Sequence, residues 1–266
     1  MADSVLYEVS DGLATVTINR PEAMNAMNIR AKAALRDAVQ SAAADRAVRA
    51  VLLTAAGRAF CVGQDLKEHV ALLQSDRDAG TRHTMETVRK HYNPIVRAIA
   101  EMPKPVVAGV NGVAAGAGLG FALAADYRVV ADSASFTTSF AGVALTADSG
   151  VSWTLPRLVG RSRATELLMF PRSFSAQEAY DLGIANKLVP AGDLAAEAAA
   201  VARALADGPT LAYAALKRSL DFSADHSLSE TLEKEDELQT MAGASEDHQI
   251  AVQAFLAKEQ PKFTGR

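Results

Sequence analysis

Short apolar runs separated by turn residues open the chain. Residues 6–9 and Leu13–Ile18 are rich in aliphatic, β-branched and aromatic side chains, and the tripeptide Ser-Asp-Gly lies between them. This arrangement is typical of two antiparallel strands joined by a tight turn. Pro21 follows the second run and ends it, because proline has no amide to donate to a strand ladder. The sequence therefore predicts an N-terminal β-hairpin.

Helix-like and strand-like patterns alternate after the hairpin. Apolar residues recur with helical spacing in some stretches and run continuously over a few residues in others. The helical stretches are Ile29–Ala44 and 82–100, and the strand-like ones are 48–54, Val106–Val110 and Tyr127–Ala131. Strands that alternate with helices favour right-handed β-α-β crossovers. We therefore predict a largely parallel sheet.

The pattern is helical from about residue 162 onward. Amphipathic stretches occupy Leu194–Ala206, 210–220 and 226–257. Neither a low-complexity linker nor a fixed-period repeat interrupts the chain. The predicted organisation is α/β, with a core over residues 1–200 and a helical C-terminal region over residues 201–266.

Composition and charge narrow the class of protein. The 266 residues are 49% hydrophobic and 22% charged, as in an ordinary globular protein with a sizeable core. There are 27 basic and 31 acidic residues, giving a net charge of −4 without a basic run. This balance argues against nucleic acid as the main partner. Any anionic ligand must be bound by a few placed cations.

Cysteine usage and the lack of long apolar segments point to a reducing compartment. Cys61 is the only cysteine, which excludes intrachain disulfides and cysteine-rich metal sites. The first residues lack a basic segment followed by an apolar one, and no window of about 18 apolar residues occurs. We expect a cytoplasmic protein without a membrane partner.

The first candidate for a binding or catalytic site is a glycine-rich segment, VAAGAGLGFALAAD at residues 113–126. The dinucleotide fingerprint fails because its third glycine falls on Phe121, and no lysine follows the glycines as a phosphate loop requires. A strand, a turn of small residues and a helix starting near residues 116–118 would leave backbone amides unpaired. Such amides suit a developing oxyanion, although close helix–strand packing without a ligand explains the glycines too.

A second segment, RAFCVGQDLK at residues 58–67, also follows a predicted strand. The motifs Ala-Phe-x-x-Gly-x-Asp-Leu and, some fifty residues on, Asn-Gly-x-x-x-Gly-x-Gly together resemble the enoyl-CoA hydratase/isomerase superfamily, the crotonases. The resemblance also covers the hairpin and residues 19–21, 25–26, 104–106, 125–126, 155–160, 179–183 and 255–258. It implies a crotonase-type ββα spiral core and a helical C-terminal region that forms trimers or dimers of trimers.

The resemblance assigns roles to two backbone amides. Those of Gln64 and Ala117 correspond to the pair that binds the thioester carbonyl of an acyl-CoA in the family. A thioester α-proton is too weakly acidic for an enzymic base unless the enolate oxygen is stabilised where charge develops. We therefore expect an acyl-CoA substrate, with CoA as part of the substrate and neither a metal nor a redox cofactor.

Side chains around the acyl group decide the reaction. The two glutamates of water-adding relatives fall on Gly120 and Phe140, so the acid–base pair that hydration needs is missing. Asp148 precedes a predicted helix and is either a general base or the helix N-cap. Relatives with a catalytic aspartate at this place, above all those that isomerise ring-epoxide acyl-CoA thioesters, favour the base.

The sequence thus predicts an acyl-CoA isomerase that acts on an enoyl-CoA or a ring epoxide. A hydratase-like enzyme of fatty-acid or aromatic-acid β-oxidation and a non-catalytic acyl-CoA-binding member are the alternatives. Arg58 and Lys67 flank the first turn and are candidates for binding the CoA phosphates, or else ordinary surface cations. Phe121, Phe140, Leu145 and Trp153 suggest a dry pocket, which core packing explains equally well.

Overall fold

The computed structural model describes residues 3–266. Its strands are β1 Val5–Ser10, β2 Leu13–Ile18, β3 Ala50–Ala55, β4 Ala59–Cys61, β5 Val106–Val110, β6 Val113–Ala115, β7 Tyr127–Ala131, β8 Ser135–Thr137, β9 Phe174–Ser175 and β10 Lys187–Val189. Its α-helices are α1 Ile29–Ala44, α2 Leu66–Ala79, α3 Asn93–Glu101, α4 Ala117–Ala124, α5 Val151–Met169, α6 Ala176–Asp181, α7 Leu194–Ala206, α8 Thr210–Ser223, α9 Leu228–Gly243 and α10 Glu246–Ala257.

The larger sheet has six strands in the order β1-β2-β3-β5-β7-β10. β1 and β2 form the predicted antiparallel hairpin, and all the later pairs are parallel. The apolar runs of β3, β5 and β7 are buried nearly throughout, as expected for parallel strands covered on both faces. The predicted parallel sheet is therefore confirmed.

A second sheet of four short strands, in the order β4-β6-β8-β9, lies beside the first. β3, β5 and β7 are each followed by one of its strands, β4, β6 and β8 respectively. An α-helix follows each of these short strands, after a short connection in the case of β4 and β6 and after a longer loop in the case of β8. This succession is the ββα spiral that the resemblance implied, and its unequal spacing explains why no fixed-period repeat is visible.

Three details differ from the predicted elements. β9 and β10 lie in the part expected to be wholly helical, and β10 extends the larger sheet beside β7. Both are only two or three residues long, too short for a periodicity signal. The stretch 226–257 is two helices, because Ser245 caps α10 with its side chain accepting from the His248 amide. The stretch 82–100 reaches α3 only after 3₁₀ and π turns.

The core is hydrophobic and continuous between the larger sheet and the helices. Its largest fully buried side chains include Tyr92, Phe60, Phe121, Phe136 and Met27. Cys61 is also fully buried, and burial raises the pKa of its thiol to about 12. Cys61 is therefore a small core residue rather than a reactive thiol. Among residues 3–266, no helix has the length and apolar character needed to cross a membrane.

Candidate active site

The candidate site lies where two short strands of the smaller sheet end. β4 and β6 are parallel neighbours. Parallel strands end at the same edge of a sheet, so the segments that follow them lie side by side. One segment contains Gln64 and leads into α2, and the other leads directly to Ala117, the first residue of α4. The two motifs found in the sequence therefore meet in space.

Gly63 keeps these two segments in contact. Its φ is +83°, a left-handed conformation that favours glycine. A Cβ at this position would lie 3.0 Å from the carbonyl oxygen of Ala115 and 3.4 Å from the amide nitrogen of Ala117. Only a residue without a side chain lets the backbone beside Gln64 approach the start of α4 this closely.

The backbone amides of Gln64 and Ala117 have no acceptor within residues 3–266. Ala117 begins a helix, and the first amides of a helix lack an intrahelical partner. In the other segment, the Met27 amide donates to Gly63 O over 2.7 Å, and the Asp65 amide donates to Met27 O over 3.1 Å. These two bonds fix the backbone on both sides of Gln64. The edge thus presents two unpaired backbone donors, the composition of an oxyanion hole.

Asp148 is half-buried in the turn that precedes α5. The N-cap of α5 is Gly150, and no side chain of residues 3–266 caps this helix. The N-cap interpretation of Asp148 is therefore wrong: its carboxylate accepts instead from Ser149 Oγ over 2.8 Å. Burial raises the pKa of Asp148, and the Ser149 hydroxyl and the charge of Lys32 oppose this rise. A carboxyl whose pKa is raised toward neutrality is a better general base.

Helix α4 joins the Asp148 turn to the paired amides. A Cβ at Gly120 would lie 2.5 Å from Ser149 O and 2.6 Å from Ser149 Cβ. The helix that begins at Ala117 therefore packs directly on the residue beside Asp148. The site also lacks a carboxylate at the two places expected for hydration, because position 120 is a glycine and Phe140 is buried.

The side chains that suggested a dry pocket lie in different environments. Phe121 is fully buried and its ring centroid lies 6.1 Å from that of Tyr92. Leu145 and Trp153 are 41% and 47% exposed, and the Arg157 guanidinium lies 4.0 Å from the Trp153 ring centroid. Core packing therefore explains Phe121, while Leu145 and Trp153 lie at the surface of the chain.

A buried lysine next to Gln64 escaped the sequence analysis. Lys32, in α1, is fully buried, and its Nζ donates to Gln64 Oε1 over 3.1 Å and to Thr87 Oγ1 over 2.7 Å. The hydroxyl of Tyr92 donates to the same Gln64 Oε1 over 2.7 Å. Its position in the helix was the available signal. Lys32 lies three residues before Leu35 and shares the buried stripe of α1 with it, whereas Arg36, four residues after Lys32, lies off that stripe.

The two candidate phosphate-binding cations lie on different sides of the first turn. Lys67 is exposed in the first turn of α2, three residues beyond Gln64. Arg58 is exposed at the opposite end of β4, before the strand begins. Neither side chain is engaged by another group of residues 3–266. Both are accessible to an anion, and their proposed role remains a prediction.

Known proteins resemble the chain over its whole length. The sequence profile described as enoyl-CoA hydratase/isomerase matches residues 8–266. A 1,2-epoxyphenylacetyl-CoA isomerase of Escherichia coli strain K12 is 38% identical over 266 residues, covering 100% of both chains. A trans-2-decenoyl-(acyl-carrier-protein) isomerase of Streptococcus mutans is 34% identical over 262 residues, covering 98% of each.

Solved structures resemble it as well. A crystal structure from Mycobacterium abscessus, assigned as an enoyl-CoA hydratase/isomerase, superposes with a TM-score of 0.94 at 45% sequence identity. The match covers 98% of this chain and 100% of the other. The shared architecture therefore includes both sheets, the helices between them and the helical C-terminal region.

Proposed function

The chain belongs to the enoyl-CoA hydratase/isomerase family, and from this premise we propose that it isomerises an acyl-CoA thioester. Its relatives include a 1,2-epoxyphenylacetyl-CoA isomerase, an enoyl-CoA hydratase and a trans-2-decenoyl-(acyl-carrier-protein) isomerase. The observation that carries the isomerase is a single half-buried carboxylate, Asp148, at a site without carboxylates at positions 120 and 140. One such group suffices to move a proton between two carbons, whereas hydration needs a further group to activate water.

In this proposal the thioester oxygen accepts hydrogen bonds from the backbone amides of Gln64 and Ala117. Both donors are fixed before the substrate arrives, so they stabilise the charge that develops on the oxygen without reorganising. A single donor of this kind is typically worth about 2.7–4 kcal/mol of transition-state stabilisation. Backbone donors leave the side chains at these positions free to vary, which accounts for a glutamine and an alanine there.

Asp148 takes a proton from the α or γ carbon of the acyl group, and the electron pair of that C–H bond passes to the thioester oxygen. The resulting dienolate then takes the proton back from Asp148 at the other carbon, so that the double bond moves and the mass stays constant. With a ring epoxide, the carbon–carbon bond shared by the epoxide and the six-membered ring opens to give an oxepin, and both carbon–oxygen bonds are kept. Asp148 then moves a proton from the α carbon to a ring carbon, so the mass again stays constant. The resemblance to a 1,2-epoxyphenylacetyl-CoA isomerase supports this second substrate class.

The remaining expectations complete the proposal. Arg58 and Lys67 bind the CoA phosphates, and the enzyme uses neither a metal nor a redox cofactor. The protein acts as a homotrimer or hexamer in the cytoplasm. The C-terminal helices support the assembly, because they expose large apolar side chains such as Phe255, which is 82% exposed. Patches of this kind mark surfaces that associate.

Purified protein incubated with crotonyl-CoA, a 3-enoyl-CoA and the 1,2-epoxide of phenylacetyl-CoA tests the proposal. Absorbance and mass of each thioester are recorded over time. We expect at least one to change its spectrum at constant mass. A gain of one water on crotonyl-CoA would show a hydratase and overturn the argument from positions 120 and 140. Tight binding of all three without conversion would identify a non-catalytic acyl-CoA-binding protein.

A further inference from the structure

Lys32 is an unusual residue to find in the core. Its side chain is fully buried in α1, among the aliphatic residues that pack this helix on the sheet. Lysine is almost never fully buried unless it is paired, because taking an ammonium out of water is costly. Burial lowers the pKa of Lys32, and the nearby carboxylates of Glu68, Asp65 and Asp148 favour its charged form. The free-energy cost of burying this ammonium suggests that Lys32 has a specific function in the folded protein.

The hydrogen bonds of Lys32 lead to the candidate oxyanion hole. Its ammonium donates to Gln64 Oε1 and to Thr87 Oγ1, and it lies 5.4 Å from the centroid of the Tyr92 ring. Tyr92 donates its hydroxyl to the same Gln64 oxygen. Two buried donors on two different elements therefore hold one amide oxygen. Gln64 is also the residue whose backbone amide stands unpaired at the site.

We propose that Lys32 is a positioning residue of the isomerase, holding Gln64 in place through its side chain and stabilising the Asp148 carboxylate with its positive charge. This inference rests on the proposed function. The positioning of Gln64 and the charge effect on Asp148 are two contributions of Lys32 that experiment can separate. Fixing Gln64 affects the donor to the thioester oxygen, and the charge affects the protonation of the base.

The surroundings of Lys32 define the expected pH dependence. The titratable groups that face it are Asp65 and Glu68 at the start of α2, His91 and Tyr92 in the π turn, and Asp148 before α5. The positive charge of Lys32 opposes the rise in the pKa of Asp148. Removing that charge raises the pKa of Asp148 further. The acid limb of the rate profile then moves to higher pH.

A second buried lysine provides a matched control. Lys104 is only 6% exposed, and its Nζ donates to the backbone carbonyls of Ala42 over 2.6 Å and Asp45 over 2.5 Å. These acceptors lie at the C-terminal end of α1, where a cation satisfies the last carbonyls of the helix. Lys104 is thus a structural lysine at the C-terminal end of α1, and within residues 3–266 its side chain makes no bond to a residue of the site.

The test compares the variants Lys32→Met, Lys104→Met and Tyr92→Phe with the wild type, using the thioester that the wild type converts. Lys32→Met is expected to lower kcat by about ten- to a hundredfold, the effect of losing one charge-assisted hydrogen bond. Its KM changes little, and its acid limb moves to higher pH. Tyr92→Phe lowers kcat and leaves the acid limb in place. Lys104→Met keeps the wild-type acid limb.

Acetoacetyl-CoA gives a readout that does not depend on turnover. This β-keto thioester enolises, and the near-ultraviolet band of its enolate grows when a protein stabilises the enolate oxygen. We expect a band with the wild type and Lys104→Met and a weaker band with Lys32→Met and Tyr92→Phe. Should Lys32→Met fail to fold, Tyr92→Phe tests the positioning of Gln64 by the same band.

The outcomes separate this inference from the proposed function. An active wild type together with an unchanged kcat and acid limb in Lys32→Met would overturn the role of Lys32 alone. An equal displacement of the acid limb in Lys104→Met would do the same, because the effect would then be general to buried lysines. A wild type that converts no thioester and forms no enolate band would overturn the proposed function and this inference with it.

Discussion

Asp65 and Asp148 occupy similar places in the sequence, since a helix begins one residue after Asp65 and three residues after Asp148. The structure uses them in opposite ways. Asp65 caps α2, accepting from the amides of Lys67 and Glu68, and it pairs with Arg20 over 3.1 Å. Within residues 3–266, the carboxylate of Asp148 caps no helix and accepts a hydrogen bond only from its neighbour Ser149. The carboxylate of Asp65 is bound by the helix amides and by Arg20, whereas that of Asp148 can still accept a proton.

The two environments shift the two pKa values in opposite directions. At Asp65 burial raises the pKa, but the hydrogen bonds from Arg20 and from the helix amides outweigh it, and the net result is a lowered pKa. At Asp148 burial prevails and the pKa is raised. A capping carboxylate is a poor base because its charged form is already stabilised. Leaving the N-terminus of α5 uncapped gives up local stability and retains a proton acceptor, as functional sites commonly do.

Of the variants that test this comparison, Asp148→Asn should have the largest effect on kcat. Asparagine keeps an oxygen for the Ser149 hydroxyl and removes the proton acceptor. We expect kcat to fall by about 10²- to 10⁴-fold, the usual contribution of a general base. Thioester binding, followed by calorimetry, should persist because the backbone donors are untouched. Turnover at the wild-type rate would contradict the assignment of the base.

Gly120→Ala should disturb the seat of Asp148 without touching its chemistry. The added Cβ would lie 2.5 Å from the Ser149 carbonyl oxygen, so the turn must move. We expect a loss of about 1–3 kcal/mol of unfolding free energy, as is typical of overpacking, together with a lower kcat. Chemical denaturation and steady-state rates measure both effects.

Gly192→Ala is the control for this change, because a Cβ there meets nothing within 4 Å and its φ is not positive. It should leave both quantities at their wild-type values. If the two variants behaved alike, the contact between α4 and the Asp148 turn would not be what positions the base.

Asp65→Ala should show the reverse of Asp148→Asn. Removing an N-cap typically costs about 0.5–2 kcal/mol of stability, and here the ion pair with Arg20 is lost as well. For a chain of this size the thermal midpoint should fall by roughly 2–4 °C per kcal/mol. Asp65→Asn serves as the matched variant, since asparagine also caps helices and should recover part of the loss. A fall in kcat exceeding that of Asp148→Asn would invert the comparison.

Much of the fold was predictable because its signals are local. Helix α1 and strands β2, β5 and β7 have the bounds that the apolar pattern predicts, and the hairpin follows from a turn tripeptide between two such runs. The strands β9 and β10 were missed because their two or three residues are defined by partners far away in the chain. Pairing of this kind is a property of the folded molecule, and no window of sequence contains it.

The site was predictable where it depends on backbone and not where it depends on burial. Glycines at fixed spacing identified the turns of Gln64 and Ala117. Pattern alone left Asp148 open between a general base and a helix N-cap, and the folded structure shows how its surroundings differ from those of Asp65. Lys32 was missed because a lysine in a helix is normally solvated, and its burial follows from how α1 packs on the sheet and beside Tyr92.

The pH dependence of stability is the smallest effect and the most direct test of the comparison. The lowered pKa of Asp65 means that the unfolded chain binds a proton more readily, so this residue adds stability above its ordinary pKa of 3.8, which is lost as the pH falls through the folded value. The raised pKa of Asp148 has the opposite sign, and its contribution to unfolding free energy declines as the pH rises from 3.8 through the raised value.

Urea denaturation of the wild type, Asp65→Asn and Asp148→Asn between about pH 3 and pH 7 measures both contributions. With rising pH, the stability of Asp65→Asn should fall behind that of the wild type, and that of Asp148→Asn should gain on it. Two difference curves with the same slope would mean that both carboxylates are used alike. Curves of opposite slope would show that Asp65 stabilises the fold as a carboxylate, whereas the charged form of Asp148 costs folding stability.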